Sequence, residues 1–140
     1  MSKTVLAVED DEINMRLLHD IIECMGYACV PARDGIAALT LVKTRQIDLI
    51  LMDVQLPGLS GLEVIRHLKA DRVLARIPII AVTACAMAGD QDRILASGCD
   101  AYVAKPFAMR EFMGLTRSML SPHASLCHGR AQDQPQQRGA

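Results

Sequence analysis

"DLILMDVQLPGLSGLEV", residues 48–64, opens on an apolar run and closes that run on a carboxylate. Leu49, Ile50, Leu51 and Met52 have the unbroken apolarity of a strand buried on both faces, the habit of parallel sheets. Asp53 stands where the buried strand runs out, and Pro57 and Gly58 turn the chain just beyond it. The four residues "SGLE" (60–63) have the form of a capping box. Ser60 would cap a helix and Glu63 reach back, ahead of Leu62, Ile65 and Leu68. The stretch is one strand–turn–helix unit with an acid at its top.

The same unit recurs outward in both directions. "TVLAV" (4–8) is a strand, and Ile13, Leu17, Leu18, Ile21, Ile22 and Met25 then mark one helical face, closed by Gly26 at the C′ position. "YACV" (27–30) is a short strand, and Asp34-Gly35 starts a helix carrying Ile36, Leu39 and Val42. "IPIIAV" (77–82) is the fourth strand, followed by a polar helix around residues 89–97 that stops at Gly98. "AYVA" (101–104) is the fifth strand, and Phe112, Leu115 and Met119 line the last helix. Five βα units predict an α/β fold: a doubly wound five-stranded parallel sheet with helices on both faces, because parallel strands need right-handed crossovers. Residues 1–120 form this domain. Residues 121–140, "SPHASLCHGRAQDQPQQRGA", lose all periodicity and read as a flexible C-terminal tail.

Composition narrows the function. Half of the 140 residues are apolar but only four are aromatic, so the core is aliphatic and stacked bases would find few platforms. Net charge is −1 and no basic run appears, which argues against nucleic acid and anionic membrane as partners. "MSKTVLAVEDDE" meets acids too early for a secretory signal, and "IPIIAVTACAMA" is too short to span a bilayer. A cytoplasmic protein is expected. Cys24, Cys29, Cys85, Cys99 and Cys127 form no CxxC pair and read as small buried hydrophobes of a reducing compartment. His123, Cys127 and His128 lack a second ligand group at zinc spacing.

In such folds the site lies beyond the carboxyl ends of the strands. Strand one delivers Glu9 and Asp10, with Asp11 beside them; strand three delivers Asp53, strand four Thr83 and strand five Lys105, followed by Pro106. Packed carboxylates repel one another unless cations join them. At a separation of 4 Å each unit-charge pair is worth roughly 4 kcal/mol at an intermediate dielectric. Lys105 supplies one charge, and a hard divalent ion that takes oxygen ligands, such as Mg2+, would supply the rest. The set suits a tetrahedral anion, and a carboxylate nucleophile attacking phosphorus would give an aspartyl-phosphate. Taken singly, Glu9, Asp10 and Asp11 could be helix N-terminal acids, Thr83 a strand-end residue and Lys105 a solvated lysine. Those readings do not explain why all of them fall at the ends of the correct strands.

"VLAVEDDE", "DLILMDVQLPGLSGLE", "IIAVTACAM" and "AYVAKPF" together resemble the response-regulator receiver domains, CheY-like in fold, across residues 3–120. Within that family the chain is most similar to single-domain regulators of the cell cycle. The resemblance implies Asp53 as phosphoacceptor, and Mg2+ held by Asp10, by Asp53, by the backbone carbonyl of Gln55 and, through a water, by Glu9. It implies Lys105 as the partner of Asp53 and then of the phosphoryl oxygens, and Thr83 as a hydrogen-bond donor to the phosphate. Tyr102 would follow Thr83, Ala84 would leave room for that movement, and Pro106 would follow a cis bond. Pro57 and Gly61 would shape the turn. A histidine kinase or histidine phosphotransfer protein would be the donor. A downstream protein would read the face made by helix four, strand five and helix five, with the sparsely anchored helix four as a switching element. Gln55 and Cys85 lie where side chains could tune the lifetime of the phosphate.

Three other readings compete. A phosphatase of the haloacid-dehalogenase type also uses a strand-end Asp, but wants a second acid two residues on, where Gln55 stands. A flavodoxin-like cofactor module would want a glycine-rich phosphate loop after strand one, where acids stand. A receiver that merely stores phosphate or serves as an adaptor is compatible with every motif above.

Overall fold

A computed structural model of the protein describes residues 3–84, 88–105 and 108–120. The chain divides into two compact units, Met1–Phe107 and Ala108–Ala140. The first holds β1 (Thr4–Val8), α1 (Glu12–Cys24), β2 (Ala28–Ala32), α2 (Gly35–Thr44), β3 (Leu49–Asp53), α3 (Gly61–Ala70), a 3-10 turn (Leu74–Arg76), β4 (Ile79–Thr83), α4 (Ala88–Ala96) and β5 (Ala101–Ala104). The second holds α5 (Met109–Leu120), whose buried residues Phe112, Thr116, Met119 and Leu120 recur at helical spacing. The tail 121–140 lies outside the described residues.

All pairings are parallel and the strand order is β2-β1-β3-β4-β5. Every residue of β3 and β4 is buried, as their unbroken apolar runs require. The pleat divides the core in two. Leu6, Val8, Ile50, Met52, Ile79 and Ala81 pack with Ala38 and Val42 of α2, Leu62, Ile65 and Leu68 of α3, and Ile94 of α4. The alternate residues, Val5, Ala7, Leu49, Leu51, Ile80 and Val82, are equally buried on the other face, the side of α1 and its Met15, Leu18, Ile21 and Ile22. The chain passes from β1 to β2 on one side and to β3 on the other, so a crevice opens above the ends of β1 and β3.

Several sequence expectations shift. Ile13 and Leu17 were assigned to the buried face of α1, yet they are 79 % and 45 % exposed, and Met15 takes the core position instead. Ile36 is likewise 70 % exposed, leaving Ala38 and Val42 as the anchors of α2. Both isoleucines lie in the first turn of their helices. β2 runs from Ala28 through Pro31 to Ala32 rather than over Tyr27–Val30. Pro31 is tolerated because β2 is an edge strand, where a missing N–H need not break a ladder. Cys24 is exposed and Cys29 and Cys99 are half-buried, so the reading of buried small hydrophobes holds only in part; Cys85 and Cys127 lie outside the described residues. Burial pushes the Cys29 thiol up to about 11, with the Glu23 charge adding to it, and raises that of Cys99 as well. Neither thiol is activated.

Two of the glycines that geometry requires show different reasons for it. Gly26 has φ +92°, and its N–H donates to Glu23 O at 3.0 Å while Tyr27 N–H donates to Ile22 O at 3.2 Å, closing α1 in a Schellman motif. Gly61 begins α3 so close to the top of β3 that a Cβ there would strike the carbonyl oxygen of Asp53 and approach Val54 Cα to 2.8 Å. Gly61→Ala should therefore destabilise the fold by roughly 2–4 kcal/mol, against about 1 kcal/mol for Gly26→Ala. Chemical denaturation of the two variants checks the ranking, and equal losses would contradict the close approach.

Candidate functional site

The sheet presents its acids by simple chain continuation. Glu9 follows β1 and Asp53 ends β3, next to one another because β1 and β3 are paired through Val8 and Met52. Glu9 is 1 % exposed and Asp53 4 %, whereas Asp10 faces solvent. One carboxylate oxygen from each of the three lies within 4.8 Å of the other two. Asp11 does not join them. It caps α1, accepting from Asn14 N–H at 2.9 Å, and its own N–H donates to Glu9 Oε2 at 3.2 Å. For Asp11 the ordinary helix-cap reading is the right one.

Lys105 closes the group from β5. Its backbone N–H donates to Thr83 O at 2.7 Å, which ties the end of β5 to the end of β4. Its Nζ donates to Glu9 Oε1 at 3.0 Å and lies 3.6 Å from Asp53 Oδ2. The ammonium thus bridges two carboxylates and sits nearer to Glu9. The sequence named Asp53 as its partner and missed the second contact, because the two acids are 44 positions apart and only the sheet makes them neighbours.

The electrostatics follow from this crowding. Burial raises the Asp53 carboxyl to about 6, and Glu9 pushes the same way by sharing a hydrogen bond and by its charge. The Gln55 backbone N–H, donating to Asp53 Oδ1 at 3.0 Å, and the Lys105 charge both oppose the rise. Burial by itself would lower the Lys105 ammonium, but the hydrogen bond to Glu9 and the two carboxylate charges hold it above its ordinary value. Three acids against one ammonium is an unbalanced set. An oxygen-liganded divalent cation would restore the balance, and Glu9, Asp10 and Asp53 are of the type and separation to hold it.

The remaining expected residues are arranged around this group. Thr83 is fully buried as the last residue of β4, one position past Val82, which pairs with Asp53 in the neighbouring strand. Ala84 follows it and is exposed. Tyr102, in β5 opposite Ala81, is half-buried against the core on the α2–α4 side. Gln55 is exposed and reaches Asp53 through its backbone. Pro106 and Cys85 lie outside the described residues. Beside the acids a cavity of about 430 Å³ is lined by Glu9, Asn14, Leu17, Leu18, Val82, Ala84 and Lys105. Asn14 was not singled out from the sequence, and Leu17 was placed in the core; periodicity alone cannot say which apolar residue lines an opening.

Comparison with known proteins agrees with this geometry. The family model of the response regulator receiver domain matches residues 5–117. The polar-differentiation response regulator DivK of Brucella ovis is 50 % identical over 120 residues, 86 % of this chain and 98 % of that protein; its counterpart in Brucella melitensis matches to the same extent. Among solved structures, the receiver domain of the sensor histidine kinase PA1611 from Pseudomonas aeruginosa superimposes with a TM-score of 0.80 at 33 % identity. That match covers 86 % of this chain and 98 % of that one, and its structure has a magnesium ion coordinated in the active-site cleft. The chemotaxis protein CheY4 of Vibrio cholerae has the same fold, with a TM-score of 0.80 at 23 % identity over 86 % of this chain and all of that one. This chain, with its acids above β1 and β3 and its lysine after β5, belongs to the response regulator receiver domain family.

Proposed function

We propose that the protein is a response regulator of a two-component phosphorelay in which Asp53 accepts a phosphoryl group from a phosphohistidine and the phosphorylated form signals by binding another protein. The observation that carries this reading is the packing of Glu9, Asp10 and Asp53 within 4.8 Å, with Lys105 Nζ 3.6 Å from Asp53 Oδ2. An Asp53 carboxylate oxygen attacks phosphorus, the P–N bond to the donor imidazole breaks as the P–O bond forms, and the imidazole leaves with the bonding pair. β3, buried throughout, holds the nucleophile still, and the Gln55 N–H on Oδ1 leaves the opposite oxygen to face the incoming group. Lys105 moves its attraction from the carboxylates to the phosphoryl oxygens as charge develops there. Thr83 offers its hydroxyl to the phosphate, and Tyr102 and Ala84 are the neighbours that respond. Asp10, Asp53, the Gln55 backbone carbonyl and, through a water, Glu9 would hold Mg2+, which would supply the countercharge for three acids and a phosphoryl group in one pocket.

The donor is a histidine kinase or a histidine phosphotransfer protein, and both act on this protein in the cytoplasm. Among the described residues no helix is long and apolar enough to cross a membrane. The surface of α4 and β5 is the readout. Within residues 90–96 of α4, Ile94 is the one deeply buried anchor while Leu95 is 52 % exposed, so a small change at Thr83 can shift it. Likeness to a polar-differentiation regulator supports a role in cell-cycle or cell-division control. Gln55 stands where a phosphatase would want its second acid, which favours one stable acyl-phosphate over steady turnover and leaves only slow self-catalysed hydrolysis.

Acetyl phosphate with Mg2+ should label the protein to one phosphate per chain and not beyond. Asp53→Asn should abolish labelling, and Lys105→Met should slow it by about 100-fold. Sustained release of product from an aryl phosphate would instead identify a phosphatase. Stability should also depend on pH. Without metal, the folded chain holds the Asp53 proton up to about 6, whereas the unfolded chain releases it near 3.8. Between those values the folded state binds more protons, so stability falls as pH rises through the window and stays lower above it. Asp53→Asn should remove this slope and raise Tm above pH 6, and Mg2+ should raise Tm more in the native protein than in the variant. Thermal melts at a series of pH values check both, and parallel curves for the two proteins would refute the assignment of the slope to Asp53.

A further inference from the structure

The edge of the sheet opposite the phosphoacceptor carries charge of the other sign. In a parallel sheet every helix runs back against its strands, so α2 and α3, which lie on one face, both end at the edge where the strands begin. Lys43 stands in the last turn of α2 and Arg45 directly after it; Arg72 follows the end of α3, and Arg76 lies in the 3-10 turn packed against α3. All four are exposed, and among the described residues none has an ion pair or a side-chain hydrogen bond to a protein group.

On this face of the edge the acids already hold hydrogen-bond donors of the chain; Asp20 and Glu23, near the end of α1, lie on the other face. Asp48 Oδ2 accepts from Thr4 N–H at 2.8 Å. Asp71 Oδ1 accepts from the N–H groups of Val73 and Leu74, at 2.9 and 3.0 Å. Asp100 Oδ2 takes Lys69 Nζ at 3.0 Å and Ile79 N–H at 2.8 Å. Lys69 also donates to the carbonyls of Ala75 and Ile77 at 3.1 Å, so the turn that carries Arg72 and Arg76 is braced rather than loose. Between those arginines Val73 is 72 % exposed, an apolar contact in the middle of a cationic surface.

We infer that this face of the edge, formed by Lys43 and Arg45 at the end of α2 and by Arg72, Val73 and Arg76 after α3, is a docking surface for an acidic protein segment. Charge complementarity names the occupant: four free cations on a braced scaffold attract carboxylates, and Val73 accepts an apolar residue placed among them. No aromatic side chain stands among them to stack a base, and no amphipathic helix is there to enter a lipid surface. The surface is independent of the phosphorylation state. The five residues of β3 separate it from Asp53 by roughly 16 Å, about two Debye lengths at physiological salt. A partner held there stays bound while the opposite edge exchanges phosphate.

Fluorescence anisotropy with a labelled peptide of ten glutamates tests this. Saturable binding is expected that weakens with salt, weakens at least about tenfold when Lys43, Arg45, Arg72 and Arg76 are all changed to Gln, and is unchanged in Asp53→Asn. Arg16→Gln with Arg33→Gln, on the α1–β2 side, serves as the control for general charge. Labelling of Asp53 by acetyl phosphate and an unchanged Tm show that the quadruple variant is folded. Absence of saturable binding overturns the proposal. So does an equal loss in the control, tighter binding to an oligonucleotide or to phosphatidylglycerol vesicles, or self-association of the protein that the quadruple variant abolishes.

Discussion

Glu9 and Asp53, two carboxylates almost withdrawn from water, share a single ammonium, and most of the local architecture exists to keep them there. Such a pair is unstable in isolation: burial and mutual repulsion both favour the proton over the charge. Lys105 relieves part of that conflict, and the residual imbalance is the useful quantity. It would let the site take up a divalent cation, where a fully neutralised cluster would not. The rise of Asp53 to about 6 has the same origin, burial first and the neighbouring Glu9 after it.

Holding that conflict in place falls to the backbone. β3 and β4 are buried along their whole length, so neither Asp53 nor Thr83 can retreat toward solvent without breaking the sheet. Gly61 allows α3 to begin directly on the Asp53 carbonyl, and its N–H donates to Val54 O at 3.1 Å, fixing the turn from below. The β5 end is fixed by Lys105 N–H on Thr83 O. Asp53 and Thr83 are thereby held in place by backbone hydrogen bonds and packing.

The strand-end rule made most of this legible in the sequence. Glu9, Asp10, Asp53, Thr83 and Lys105 could be gathered without coordinates, because five buried strands pointing one way must present their following residues at one edge. Distances were beyond its reach. That Lys105 lies nearer to Glu9 than to Asp53, and that Asp11 turns away to cap α1, depend on rotamers set by neighbours distant in sequence. Helical periodicity misjudged Ile13, Leu17 and Ile36 for a related reason. A period places residues on a face but does not say which of them the rest of the fold covers.

The basic edge was invisible for the opposite reason. Its cations are split between positions 43–45 and 72–76, and a net charge of −1 gives no hint of them. Parallel topology alone collects them, just as it collects the acids at the other edge. A chain can therefore be nearly neutral in sum and still strongly polar along its strands. Asp48, Asp71 and Asp100 sharpen the contrast, since each is held by a backbone N–H or by Lys69 and none forms an ion pair with the exposed cations. Acids that brace the fold at one edge and acids that bind at the other are the same residue type, distinguished by whether the chain itself has already supplied their hydrogen-bond donors.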